Sequence, residues 1–124
     1  MNFYRCVKSF RYALKGIAWV AKENNFRIHM LATVAVVLAG WGTGLDLSQW
    51  LWIVSAVFMV LVAETINTAL EKLTDLVSPE HNLLAGQVKD LGAGAVLLSA
   101  VYAVLVAALI FIPEWMAACS DLVR

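Results

Sequence analysis

Residues 47–75 read LSQWLWIVSAVFMVLVAETINTALEKLTD, an uncharged apolar run that passes into regularly spaced acids. The part from Leu47 to Ala63 has no Asp, Glu, Lys or Arg. It is shorter than the roughly 20 helical residues that cross the hydrocarbon core of a bilayer. It therefore spans a membrane only if the helix continues through Glu64 and Asn67 towards Glu71. We predict a transmembrane helix over residues 47–71.

Two further uncharged runs, Ile28–Leu45 and Leu91–Pro113, flank this segment. They predict transmembrane helices over residues 28–45 and 90–113, because lipid offers no hydrogen-bond partners to an open backbone. The composition agrees: of 124 residues, 62% are hydrophobic and 15% charged, and the mean hydropathy is +0.80. Soluble domains carry about 25% charged residues. We therefore predict an all-α, polytopic membrane protein with a single domain over residues 1–124.

The N-terminal segment, residues 1–27, has a different pattern. Apolar residues such as Phe3, Phe10 and Ile17 recur at helical intervals, and Lys8 and Lys15 lie on the opposite side. This pattern is typical of an amphipathic surface helix in the headgroup region. The alternative is an ordinary helix with one solvated face.

The net charge is +0, so the total charge says nothing about the topology. The uneven distribution of basic residues along the chain does predict it. Residues 1–27 contain six basic residues and one acid, whereas the loop around Asp46 contains no Lys or Arg. Under the positive-inside rule, the N-terminus is cytoplasmic and the C-terminus external.

The most informative polar residues are Glu64, Asn67, Glu71 and Asp75, at positions i, i+3, i+7 and i+11. This spacing places them in one stripe along a helix. A carboxylate at membrane depth is costly unless it is paired, so Glu64 indicates a functional site. The alternative is a structural glutamate that bonds between helices.

More charged groups are predicted at the cytoplasmic boundary. Carboxylates there suit a magnesium ion, which takes one or two of them together with water and substrate phosphates, and Lys89 suits a phosphate group. A deeper carboxylate is placed to accept a proton from a hydroxyl that arrives through the lipid. The pattern thus favours a kinase that acts on a lipid alcohol. A proton-coupled transporter and a structural subunit are the alternatives from other classes. The boundary residues are Glu23, Glu71, Asp75, Glu80, Lys89 and Asp90.

The run Glu64–Asp75, followed by Gly86–Val96, resembles the signature of the prokaryotic diacylglycerol kinase family, and Ser9–Gly16 and Glu23–His29 also fit it. The resemblance implies that Glu64 is the catalytic base and contacts the lipid substrate, and that Glu23 and Glu71 bind Mg²⁺. It implies a nucleotide site for ATP formed by Arg5, Tyr12, Glu23, Asn67, Glu71, Asp75, Glu80, His81, Lys89 and Asp90.

The same resemblance implies a homotrimer in the bacterial inner membrane, with active sites between protomers and no nucleic-acid partner. The ending of Phe26–His29 is similar to the undecaprenol-kinase branch, because the enterobacterial diacylglycerol-kinase branch has an acidic residue where His29 stands. Undecaprenol is therefore the expected acceptor, and diacylglycerol is the alternative.

Overall fold

A computed structural model of the chain describes residues 3–80 and 82–122, and the side chains of residues 7–80 and 82–120. The described residues are almost entirely helical. They form α1 (Phe3–Val20), α2 (Asn24–Thr43), α3 (Leu47–Val77) and α4 (Leu83–Leu122).

The helices α2, α3 and α4 are long and apolar enough to cross a membrane. Large apolar side chains such as Leu38, Phe58 and Leu98 are exposed on their outer surfaces, as expected for surfaces in contact with lipid. The prediction of an all-α protein with three membrane helices is thus confirmed. The helix α1 is present, but its amphipathic role at the membrane surface stays a prediction.

The helices are longer than the predicted spans. α2 begins at Asn24 rather than residue 28, and α3 continues to Val77 rather than ending at 71. The 31 residues of α3 extend about 46 Å, well beyond the roughly 30 Å hydrocarbon core. The prediction ended each span at its charged residues, but a charge at the headgroups or in water does not stop a helix.

The longest helix, α4, extends beyond the predicted span at both ends. It begins at Leu83 rather than residue 90, where the Leu84 backbone N–H donates to the Asn82 side-chain oxygen at 2.9 Å. It also continues past Pro113. A proline removes one backbone donor, which membrane helices tolerate where neighbours support the next turn. Here Trp115 provides that support: its ring packs on Phe111, and its Nε1 donates to Thr43 Oγ1 at 3.2 Å.

The connection between α2 and α3 lies at one end of the bundle. Gly44 ends α2 in the left-handed conformation (φ 76°), and Asp46 caps α3 in a capping box with Gln49. Gln49 also donates from Nε2 to Glu114 Oε1 of α4 at 2.6 Å. An apolar cluster of Leu45, Ile53, Ala56, Val106 and Phe111 packs beside these contacts.

The opposite end of the bundle carries most of the charged groups. α1 meets α2 there through a short break at residues 21–23, and α3 meets α4 through residues 78–82. The apolar core therefore fixes one end of the bundle, and the predicted functional residues gather at the other.

Candidate active site

Burial changes steadily along the polar stripe of α3. Glu64, Asn67 and Thr68 are 2%, 3% and 7% exposed, Glu71 is half-buried, and Asp75 is exposed. Glu64 lies about 26 Å along the helix from Leu47, which keeps it within the thickness of the hydrocarbon core. The stripe thus leads from a carboxylate at membrane depth to one in water.

The break between α1 and α2 brings a further carboxylate to the stripe. Glu23 Oε1 accepts an ion-paired hydrogen bond from Lys72 Nζ at 2.7 Å. Glu64 is close enough to interact electrostatically with Glu23, Glu71 and His29, and Lys72 interacts in the same way with Glu23, Glu71 and Asp75. Residues distant in sequence therefore form one charged cluster.

Asn67 is held between α3 and α4. Its Nδ2 donates to Glu71 Oε1 at 3.0 Å, whereas its Oδ1 is buried and has no hydrogen-bond partner among the described residues. Gly92 of α4 packs directly on this amide, and a Cβ at Gly92 would collide with Asn67 Oδ1. The Asn67 amide is thus held between Gly92 of α4 and the Glu71 carboxylate.

The exposed end of the stripe joins α3 to α4 through an ion pair between Lys89 and Asp75. The side chains remain 39% and 65% exposed, respectively. Both groups are therefore accessible to a ligand from water, and the pair itself adds little stability.

The structure does not bring every predicted site residue to this cluster. Tyr12 is exposed on α1 near Lys15, and Glu80 is exposed in the α3–α4 connection. Asp90 is exposed and lines a groove formed by α4 residues alone. The side chain of Arg5 and all of His81 lie outside the described residues.

Sequence reasoning assigned no role in this cluster to His29, Lys72 or Gly92. Lys72 follows Thr68 by four residues and Glu64 by eight, so helical spacing alone would have placed it at the edge of the stripe. His29 had no such signal, because its proximity to Glu64 depends on how α2 packs against α3. The role of Gly92 depends likewise on the register between α3 and α4.

The cluster is chemically suited to magnesium bound with a nucleotide. Glu23 and Glu71 offer oxygen ligands, and among the side chains of residues 7–80 and 82–120 no group of three or more His, Cys, Asp or Glu is arranged around a metal position. Mg²⁺ usually takes one or two carboxylates and completes its shell with water and phosphate oxygens. The residues present therefore fit a metal that arrives with a polyphosphate.

Comparison with known proteins adds independent evidence. The sequence model of the family described as prokaryotic diacylglycerol kinase matches residues 11–111. An undecaprenol kinase of Bacillus subtilis (strain 168) is 37% identical over 111 residues, which cover 89% of this chain and 90% of that protein.

Two relatives carry the other substrate name. A diacylglycerol kinase of Escherichia coli (strain K12) is 35% identical over 107 residues, which cover 84% of this chain and 86% of that protein. A diacylglycerol kinase of Synechocystis is 39% identical over 107 residues, which cover 85% of this chain but only 61% of that longer protein.

Proposed function

The chain belongs to the prokaryotic diacylglycerol kinase family and is therefore a lipid kinase, and we propose that it transfers the γ-phosphate of Mg-ATP to the hydroxyl of undecaprenol. The observation that carries this proposal is the burial of Glu64 beneath a cluster of carboxylates and lysines. A transporter would use Glu64 but would leave Glu23, Asn67 and the Asp75–Lys89 pair without a task.

Glu64 acts on the acceptor. Its carboxylate accepts the hydroxyl proton as the hydroxyl oxygen forms a bond to the γ-phosphorus, and the bond from that phosphorus to the bridging oxygen of ADP breaks. The products are a lipid phosphate, ADP and a protonated Glu64. Because Glu64 is 2% exposed, bulk water has little access to compete with the lipid hydroxyl.

The shallower residues hold the nucleotide. Glu23 and Glu71 would hold Mg²⁺, which when bound neutralises charge on the phosphates. Asn67 and Glu71 share a hydrogen bond of 3.0 Å, so one pair of side chains serves both metal and nucleotide. Lys72 adds a positive charge beside the same carboxylates. The remaining proposed nucleotide contacts are Arg5, Tyr12, Asp75, Glu80, His81, Lys89 and Asp90.

Undecaprenol is the proposed acceptor because of the residue at position 29. His29 is close enough to Glu64 to interact with it electrostatically, and a histidine at this position resembles the undecaprenol-kinase branch. The Bacillus subtilis relative carries that substrate in its name. Diacylglycerol is the alternative, since the relatives from Escherichia coli and Synechocystis are named for it.

The active assembly is proposed to be a homotrimer in the bacterial inner membrane, with a cytoplasmic N-terminus and an external C-terminus. The isolated chain supports sites between protomers in one respect. Asp90 lies on a surface of α4 that neither α2 nor α3 lines. It would therefore contact the nucleotide bound to a second copy of the chain, not the nucleotide bound to its own.

The test combines one substitution with a matched control. Glu64→Gln keeps the size of the side chain but removes the base, so we expect phosphate transfer to fall by a factor of about 10²–10⁴ while ATP binding persists. Glu114→Gln makes the same change beside Gln49, at the other end of the bundle, and should leave turnover close to that of the unmodified protein. Equal activity in the two variants would remove Glu64 from the mechanism.

The acceptor is identified in the same assay. Phosphate transfer from ATP is measured in parallel to undecaprenol, diacylglycerol and ceramide in identical micelles. The proposal requires the highest kcat/KM for undecaprenol. A higher value for diacylglycerol would select the alternative substrate, and no transfer to any of the three would refute the proposed function.

A further inference from the structure

A cavity of about 230 Å³ lies between the three membrane helices. One end is marked by His29 of α2, Val60 of α3 and Ala100 of α4, and the other by Val36, Ile53 and Ala107. Val60 and Ile53 are separated by seven positions, which correspond to a depth of about 10 Å along the helix. The cavity therefore runs parallel to the helices, from the level of the polar cluster towards the apolar core.

The charged end of this cavity adjoins the candidate active site. Val60 lies one helical turn before Glu64, and His29 both lines the cavity and interacts with the Glu64 carboxylate. A lipid whose hydroxyl is at Glu64 must direct its chain away from the headgroups and towards the centre of the bilayer. The cavity begins at that point and follows that direction.

From this geometry we infer that the cavity binds the hydrocarbon segment next to the acceptor's hydroxyl, and that it selects an alcohol whose first carbons carry no other polar group. This inference rests on the proposed function, because it takes Glu64 as the position of the hydroxyl. It assigns a chain-binding subsite to α2, α3 and α4 of a single protomer.

The lining explains the selectivity. The polar residues among those that line the cavity are His29 and Thr33, and the Thr33 hydroxyl already donates to the His29 carbonyl at 2.8 Å. The remainder is valine, alanine and isoleucine. A polyprenol presents only hydrocarbon beyond its hydroxyl carbon, whereas diacylglycerol carries two ester groups there. Of the lining side chains, the His29 ring could donate to one ester, and the other would lose its hydrogen bonds to water without replacement, which is unfavourable.

The size of the cavity also favours a single chain. An apolar cavity of about 150 Å³ accommodates a benzene molecule, so this one holds a segment only somewhat larger, roughly two isoprene units. The second chain of a glycerolipid would have to lie outside, on the lipid-exposed surface. A single branched chain fits the cavity without leaving a second chain on the lipid-exposed surface.

The first experiment fills the cavity. Ala100→Phe places a ring in it, and we expect KM for undecaprenol to rise about tenfold or more, with KM for ATP unchanged. Val101→Phe is the matched control, because Val101 is the next residue but is 48% exposed. It should change KM for undecaprenol less than twofold. Equal KM values for undecaprenol in the two variants would overturn the inference. A loss of the oligomer in Ala100→Phe with KM unchanged would also overturn it, because a neighbouring copy of the chain would then be the occupant of the cavity.

The second experiment reads binding without catalysis. A polyprenol analogue with a photoreactive group near its hydroxyl should label the 100–107 segment of α4, also in Glu64→Gln, and excess undecaprenol should block the label. Equal blocking by a phospholipid without a free acceptor hydroxyl would mean that bulk lipid fills the cavity, and labelling elsewhere would overturn the assignment. Either outcome with normal phosphate transfer refutes the subsite alone, whereas absence of transfer to every lipid alcohol refutes the proposed function.

Discussion

At the scale of single residues, the contact between Gly92 and Asn67 makes a sharp prediction. Gly92→Ala places a methyl group too close to Asn67 Oδ1, and the nearest atom outside Asn67 is Leu70 Cδ1 at 3.6 Å. The amide is the easiest group to move, so the substitution displaces it and weakens its bond to Glu71. We expect KM for Mg-ATP to rise about tenfold, at a stability cost of about 1–3 kcal/mol.

The control for this substitution is Gly94→Ala, two residues further along α4. A Cβ at Gly94 meets nothing within 4 Å, and alanine is the better helix former. Its KM for Mg-ATP should match that of the unmodified protein. If the two variants bound nucleotide equally well, the orientation of the Asn67 amide would have no part in the site.

The site residues that the sequence could identify are those whose common position depends on the geometry of a single helix. Glu64, Asn67 and Glu71 share a face by spacing alone, and the structure places them in order of decreasing burial. The partnership of Lys72 with Glu23 and the closeness of His29 to Glu64 depend on contacts between helices. Such contacts leave no periodic signal in either segment, so one sequence could not reveal them.

At the scale of helices, the packing of α2 on α3 rests on a close approach at Gly40. A Cβ there would lie 2.8 Å from Trp50 Cη2 and 3.1 Å from Leu45 Cδ1. Because the indole is rigid and half-buried, Gly40→Ala should push the helices apart and lower the free energy of unfolding by about 1–3 kcal/mol. The unfolding midpoint in detergent measures this, and kcat should change little because the active site is at the other end.

Gly42→Ala is the comparison for that helix contact. It lies two residues later in α2 with no neighbour within 4 Å of an added Cβ, so we expect a neutral or slightly stabilising effect, since alanine is favoured over glycine in helices by roughly 0.5–1 kcal/mol. A loss of stability in Gly42→Ala as large as in Gly40→Ala would show that helix backbone effects, and not the contact with Trp50, set the result.

The helices themselves could be predicted in number and type but not in length. Apolar runs identify a span because the bilayer requires them, and this requirement ends at the headgroups. Beyond that boundary, ordinary helix signals take over: Pro79 follows the end of α3, and Asn82 precedes the start of α4. The extra turns carry Asp75 and Lys89, two of the proposed nucleotide contacts, into an ion pair.

At the scale of the whole molecule, one chain gathers most of the proposed site but not all of it. Glu23, Glu64, Asn67 and Glu71 meet within the chain, whereas Asp90 faces outwards from α4. The proposed trimer with sites between protomers would reconcile these positions, because each α4 would then offer Asp90 to the cluster of a neighbour. A head-to-tail interface can repeat around a closed ring. Each copy in such a ring would receive one Asp90 from its neighbour.

This arrangement predicts complementation between inactive subunits. Glu64→Gln and Asp90→Asn, each inactive alone, should recover about a quarter of full activity when co-assembled in equal amounts, because in a ring of random composition about one interface in four receives both native residues. Glu64→Gln mixed with Glu71→Gln should recover nothing, since those two residues lie on one face of the same α3 and no interface can restore both. Phosphate transfer by the purified mixtures distinguishes the cases. If the first mixture recovered no activity, either Asp90 and Glu64 would act in the site of the same protomer, or Asp90 would have no part in the site.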